Sequence, residues 1–343
     1  MVNEQRSSML QRVITGSSIS LLTLLIAVIV GEGALRLLPS ARQAKYNSLF
    51  VYHDGYFELA PNSSVDVNGI QYKVNSEGLR DSIGIAPKCG GVERIALRGD
   101  SITFGYGVQL EQSYGKQLAL ALNQRFKNRK FESVNFGVSG LTTIGEVNRY
   151  FEKGFSYGSD YVVVEMLLDD FIYPQHQEES VNMGMLGAIK EFTKVYLYAI
   201  YFRIKGILNR VELVKQYPAA TDLVGYIEQI YRDENAQLLA TQNKLLELKN
   251  FTKARNQKLL VVLFPYLLDL PNDNPLKAIR NTWSEFFEKN GIEFIDLAEL
   301  VPLGKFSSMR LEESDSVHPS AMASATIADL LAQSSFWDSA VAN

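Results

Sequence analysis

Cysteine is nearly absent from the 343-residue chain: Cys89, in a KCGG stretch, stands alone. A single thiol makes no intrachain disulfide and no cysteine-based metal site, so neither a disulfide scaffold nor a zinc ribbon is available. Histidine is almost as scarce, which leaves imidazole chemistry to His53, His176 and His318. Positive charge is not in excess either. With 34 Lys and Arg against 38 Asp and Glu, the net charge is −4 and the pI is near 5.6. No basic stripe is offered to a phosphate backbone, which argues against nucleic acid as a partner. The chain also lacks a GxGxxG or GK(S/T) pattern, and with it a phosphate-cradling loop. There is no internal repeat and no low-complexity tract. What remains is ordinary globular composition, 46% hydrophobic and 21% charged, enough for one large domain or two modest ones.

The N-terminus departs from that composition. From Val13 to Val30, VITGSSISLLTLLIAVIV carries no charge, close to the ~20 apolar residues that cross a bilayer core. A transmembrane anchor over residues 1–39 is expected. A cleaved signal peptide is the alternative, because Gly31 and Gly33 offer a small-x-small site. Arg6 and Arg12 precede the run and Arg36, Arg42 and Lys45 follow it, so flanking charge does not choose an orientation.

Residues 40–91 are mixed polar and aromatic with Gly and Pro punctuation, and read as a partly extended linker packed on the main domain. From residue 92 the pattern alternates. VERIAL (92–97), FESVNF (131–136), YVVVEMLL (161–168), LLVVLFP (259–265) and IEFIDL (292–297) read as strands. The third is almost continuously apolar, as in a strand buried on both faces. Between them, SYGKQLALALNQRF, TTIGEVNRYF, NAQLLATQNKLLELKNF and LKAIRNTWSEFFEKN have helical spacing, and Thr143 with Glu146 fits a capping box. The alternation predicts an α/β fold, a central parallel sheet wrapped by helices, over 92–335. Residues 171–232 break the rhythm and read as a helical insertion. Its apolar stretch Val195–Phe202, bracketed by Lys194, Arg203 and Lys205, is too short for a second span and suits a packed helix, a lid or an interfacial helix.

In open parallel sheets ligands bind beyond the carboxyl ends of the strands. Three loops leave such ends here: GDS after the first strand, NFGVSG (Asn135–Gly140) after the second, and LLDDF (Leu167–Phe171) after the third. Near the C-terminus, DSVHP places Asp315 three residues before His318. A serine hydroxyl needs an adjacent base, and the base needs a third group to fix its tautomer. Ser101, His318 and Asp315 supply these types. The backbone N–H groups of Ser101 and Gly140 are candidate donors to an oxyanion. His53 and His176 have no evident partner and read as surface or packing residues. Arg98 faces solvent or pairs with Asp169 or Asp170, and Asp170 is a helix cap or a site residue.

These blocks together resemble the SGNH (GDSL-type) hydrolase superfamily, whose members hydrolyse or transfer acyl groups on esters. GDSITFG matches its nucleophile block, NFGVSG its glycine block and DSVHP its final block. The resemblance implies a three-layer α/β/α, flavodoxin-like fold. It makes Ser101 the nucleophile, Asp315 and His318 the acid and base, and Ser101 and Gly140 oxyanion donors, with no metal or organic cofactor. KVNSEGLRDS (73–82) behind an apolar run is similar to membrane-anchored members of bacterial envelope systems, which implies an extracytoplasmic domain held by the N-terminal helix. One block departs. The family places Gly-x-Asn-Asp after the third strand, where this chain reads Leu167, Leu168, Asp169, Asp170. Asp169 stands at the oxyanion asparagine, and an ionised aspartate has no proton to donate. Three outcomes follow: Asp169 held protonated by burial, two N–H donors carrying the hole alone, or a site that has lost hydrolysis. The expected activity is hydrolysis of small acyl esters, O-acetyl groups of envelope glycans among them. An O-acyltransferase using the same site and a catalytically silent scaffold are the alternatives.

Overall fold

The computed structural model describes residues 46–53, 56–82, 88, 90–172, 215–218, 222–271 and 274–342, with five single positions between 20 and 30. The chain divides into two compact units. The first takes residues 1–48 and 181–211. In it Leu22, Ile26 and Val30 are helical and carry exposed side chains. The apolar run expected to span a membrane lies almost wholly outside the described residues, as do Cys89, His176 and Val195–Phe202. Among the described residues no helix is long and apolar enough to cross a membrane.

The second unit holds the sheet. Five parallel strands, β5 (Val92–Arg98), β6 (Lys130–Asn135), β7 (Tyr161–Met166), β8 (Lys258–Leu263) and β9 (Glu293–Asp296), lie in the order β6-β5-β7-β8-β9. Every side chain of β7 is buried, because helices cover both faces. The layering follows from handedness. The β5-to-β6 crossover through α2 (Tyr114–Arg125) runs one way along the sheet, and all later crossovers run the other. Right-handed connections therefore put α2 on one face. They put α3 (Thr143–Glu152), α5 (Asn235–Lys253) and α6 (Pro275–Asn290) on the other. The Ala-rich α8 (Ala321–Ala332) packs on α2, and α4 (Leu223–Asp233) packs on α6 with Ile227 and Ile230 buried. Each fully buried Leu, Ile or Phe side chain contributes about 1.5–3 kcal/mol.

Several boundaries shift. The stretch 40–91, expected as a linker, contains two hairpins that belong to the same unit as the sheet from Leu49 on: β1 (Phe50–His53) with β2 (Tyr56–Leu59), and β3 (Ser64–Val67) with β4 (Ile70–Lys73). Asn68 and Gly69, both at positive φ, make the two-residue turn of the second hairpin. His53 ends β1. The domain also runs past 335, since α9 (Ser335–Ala342) buries Trp337 against Phe131 and Tyr161. The expected capping box does not form, and the cap lies one residue earlier. Thr142 caps α3 by accepting from the Gly145 N–H at 3.4 Å, and Glu146 is buried without returning to the cap.

Candidate active site

The topology places the first strand's loop beside the switch point of the sheet, since chain order reverses between β5 and β7. The turn leaving β5 is built tightly. A Cβ on Gly99 would lie 2.1 Å from Thr103 Oγ1 and 2.3 Å from Glu165 Oε2. Asp100 caps the four-residue helix α1 (Ser101–Phe104), its Oδ1 accepting from the Ile102 N–H at 2.9 Å. Glu165 of β7 braces the turn from below, its Oε2 accepting from the Asp100 N–H at 3.2 Å and the Thr103 hydroxyl at 3.0 Å. Ser101 thus sits on a short helix anchored at both ends, for Gly105 closes it with φ 84°.

The three sequence-expected groups of the charge chain meet. Ser101 Oγ is 2.8 Å from His318 Nε2, and His318 Nδ1 is 2.8 Å from Asp315 Oδ2. Asp315 Oδ1 accepts from the N–H groups of Val317 and His318, each at 2.9 Å. Burial pushes the Asp315 carboxyl up, but the His318 ring and these N–H donors outweigh it and hold the group below its ordinary value. With Asp315 anionic, Nδ1 carries the ring proton and Nε2 is free to accept from Ser101. The loop is fixed from outside as well: Leu311 N–H donates to His318 O at 2.8 Å, and Ser320 N–H to Met309 O at 2.8 Å. Tyr106 lies against the imidazole, ring centroids 4.7 Å apart. Asp100 Oδ2, 3.2 Å from Ser101 Oγ, is a second and more distant acceptor for the same hydroxyl proton. It is a neighbour the sequence reading passed over, although an acid just before a helix start is an ordinary cap signal.

The two glycines of the second loop do different things. A Cβ on Gly137 would lie 2.2 Å from the Phe104 nitrogen, so this glycine lets the loop press on α1. Gly140 adopts φ 79° with open space around it. The backbone N–H groups of Ser101 and Gly140 find no acceptor among the described residues, which leaves both available to a ligand. Asn135 joins loop to helix, its amide donating to Thr103 O at 2.8 Å and accepting from the Gly137 N–H at 2.9 Å.

The third loop corrects two expectations. Arg98 neither faces solvent nor pairs with Asp169 or Asp170. It is fully buried, donates to Glu146 O at 2.6 Å and lies over the rings of Phe136 and Tyr150. Burial and the neighbouring Arg149 push its pKa down to about 9. Among the described residues Asp170 caps no helix: its Oδ2 accepts from the Leu167 N–H at 2.6 Å, and its carbonyl accepts from the Thr143 N–H at 2.9 Å. Asp169 Oδ1 accepts a hydrogen bond from the Tyr266 hydroxyl. Burial raises the Asp169 pKa, as does the charge of Asp100, against the lowering effect of Tyr266 and of its own N–H.

Under the site lies a group of buried acids: Glu146 and Asp170, which the sequence offered as a capping-box partner and as a cap or site residue, and Glu165, which it did not single out. Glu146, Glu165 and Asp170 are all held well above the carboxylate range, by burial first and by the charge of Asp100 next. A carboxylate inside the apolar run YVVVEM was a visible signal for Glu165. Arg80 gave none. It is fully buried and donates to the carbonyls of Phe104 (3.0 Å), Gly105 (2.5 Å) and Val108 (2.7 Å), locking the exit of α1. Asp81 beside it accepts from Lys116 Nζ at 2.9 Å and from the Asn135 N–H at 2.7 Å.

Among protein families, the one described as the GDSL-like lipase/acylhydrolase family has a model that matches residues 97–325. The chain is also similar to solved structures at low identity. TesA matches at 14% identity and TM-score 0.41, covering 70% of this chain and 96% of TesA. The psychrotrophic esterase EstA from Pseudoalteromonas sp. matches at 18% and 0.41, covering 73% and 100%. An acetyl-xylooligosaccharide esterase from Geobacillus matches at 15% and 0.40, covering 70% and 92%. No curated protein matches the chain.

Proposed function

Because the chain belongs to the GDSL-like lipase/acylhydrolase family, we propose that it is a serine-dependent ester hydrolase with Ser101 as nucleophile. The observation that carries this reading is the unbroken chain Ser101 Oγ, His318 Nε2, His318 Nδ1, Asp315 Oδ2, with 2.8 Å at both contacts. Ser101 Oγ attacks the acyl carbonyl carbon while Nε2 takes the hydroxyl proton, and Asp315 stabilises the imidazolium. The carbonyl oxygen becomes the oxyanion and takes hydrogen bonds from the N–H groups of Ser101 and Gly140. As the tetrahedral intermediate collapses, the ester C–O bond breaks and Nε2 returns its proton to the departing alcohol. Water then repeats the sequence on the acyl-serine, releasing the carboxylic acid and restoring Ser101.

The substrates proposed are small acyl esters, with O-acetyl groups of envelope glycans among them, and the apolar N-terminal run is proposed to hold the domain at a membrane. The exposed helical positions Leu22, Ile26 and Val30, four residues apart, support a lipid-facing helix. The test is hydrolysis of p-nitrophenyl acetate by the full chain and by Ser101→Ala. The variant is expected to lose on the order of 10⁶-fold in kcat. Equal rates would reject the serine mechanism. With an acetylated glycan, free acetate supports hydrolysis, whereas acetyl reappearing on an acceptor hydroxyl would assign the site to transfer.

A further inference from the structure

The oxyanion position of the third loop holds an acid where the resemblance calls for an amide. Resting on the ester chemistry proposed at Ser101, we infer that Asp169 works as a neutral carboxylic acid: Oδ1 accepts the Tyr266 hydroxyl, and the proton on Oδ2 is donated to the oxyanion. A protonated carboxyl has one acceptor oxygen and one O–H donor, the same two functions as the oxygen and nitrogen of an asparagine amide. The Tyr266 hydrogen bond decides which oxygen is the acceptor, and so leaves the proton to the other.

Position supports the assignment. Strands β5 and β7 are neighbours, with Arg98 paired to Val164, so the turns carrying Ser101 and Asp169 leave adjacent strand ends. The Asp169 loop is held by the Ile172 N–H on Asp169 O at 2.9 Å and by the Thr143 N–H on Asp170 O at 2.9 Å, which ties it to the segment just after Gly140. Tyr266 is held from the opposite side, where the Leu267 N–H donates to Ser316 O at 2.6 Å and Arg310 Nε to Leu267 O at 2.7 Å. Tyr266 therefore stands between the Asp169 loop and the loop carrying Asp315 and His318. It is a positioning residue, acting through Asp169.

The surroundings disfavour the anion. Asp169 has no ion-pair partner among the described residues, and Arg98, the nearest candidate in sequence order of the strand ends, is engaged by Glu146 and two rings. The groups that face it are Tyr266 after β8, Tyr226 and Tyr231 of α4, Asp100 ahead of α1 and Asp170 in its own loop. All are neutral or acidic. An ionised Asp169 would meet the oxyanion with like charge, whereas a neutral one meets it with a proton, as a buried carboxylic acid does in ketosteroid isomerase.

The experiment is the pH profile of kcat/KM for p-nitrophenyl acetate with the full chain, alongside Ser101→Ala, Asp169→Asn, Asp169→Ala and Tyr266→Phe. The wild-type rate falls on the alkaline side of the profile as Asp169 loses its proton. Asp169→Asn keeps a donor that does not titrate, and the alkaline fall disappears. Asp169→Ala loses about 10²–10³-fold across the profile. In Tyr266→Phe the hydrogen bond that favours the carboxylate is gone, so the fall moves to higher pH, a shift that a merely structural tyrosine would not produce. Infrared difference spectra of wild type minus Asp169→Asn, taken at the pH of maximal rate, should contain a carboxylic-acid carbonyl band. Absence of that band, or an alkaline fall identical in wild type and Asp169→Asn, overturns the inference while Ser101-dependent turnover still stands. A wild-type rate equal to that of Ser101→Ala overturns the hydrolase reading itself.

Discussion

Replacing Asp315 by asparagine is expected to slow turnover about 10⁴-fold while leaving the loop that carries it folded. The two carboxylate oxygens are used differently. Oδ1 takes two backbone N–H groups at 2.9 Å, and Oδ2 takes the imidazole Nδ1 at 2.8 Å. An asparagine keeps its carbonyl oxygen toward those two N–H groups, because turning it around forfeits two hydrogen bonds, about 1 kcal/mol each. Its NH₂ then faces Nδ1, which must give up its proton to accept. The ring takes the other tautomer, and Nε2–H points as a donor at Ser101 Oγ, 2.8 Å away. The serine has lost its base. A 10⁴-fold loss corresponds to about 5.4 kcal/mol of transition-state stabilisation. Because Asp315 is not expected to touch substrate, KM should move by less than about threefold while kcat carries the loss. The assay is steady-state hydrolysis of p-nitrophenyl acetate at the pH of maximal wild-type rate, with circular dichroism to verify the fold. An Asp315→Asn enzyme within tenfold of wild type would refute tautomer control by this residue.

Stability should depend on pH through the buried acids. Glu146, Glu165 and Asp170 have raised folded-state pKa values, so above their unfolded values the native state holds protons that the unfolded chain releases. Their stabilising contribution is full below the unfolded values and is lost as pH rises toward the folded ones, at about 1.4 kcal/mol per pH unit per proton. Urea midpoints should therefore fall as pH rises above the unfolded carboxylate range, and Glu146→Gln should fall less steeply; parallel curves would contradict this. The second loop offers a matched pair. Gly137→Ala puts a Cβ 2.2 Å from the Phe104 nitrogen and 2.7 Å from the Thr103 carbonyl carbon, backbone atoms that yield poorly, and should cost about 1–3 kcal/mol together with activity, as α1 is displaced. Gly140→Ala meets open space but keeps φ near 79°, a cost of about 1–2 kcal/mol without displacement of α1; amide exchange in α1 accelerated equally in both variants would count against the distinction.

The five strands and most of their helices were readable because periodicity is a local property. YVVVEM is nearly all apolar, and α6 carries buried Leu276, Trp283 and Phe287 along one stripe. The candidate nucleophile, base and acid were readable as well, since each lies at a strand end or in a short motif whose residue types have few other uses together. Three features escaped. Arg80 lies in a polar stretch that looks like a surface loop, and it is buried by the Tyr72 ring on one side and by carbonyls 24–28 residues further along the chain on the other. Thr142 and Thr143 are adjacent hydroxyls, and which one caps α3 depended on Glu146 turning inward, away from the cap. The Asp169 position was found, but its partner Tyr266 lies 97 residues away, on the far side of β8. Local order therefore specified which elements form and which reactive groups sit at their ends, because side-chain period and turn chemistry act over a few residues. The fold alone decided which of those groups touch, and in which charge state. Hydrogen-bond distances across separate loops, and the loss of solvent around Glu165 and Arg98, arise only when the sheet and its covering helices close.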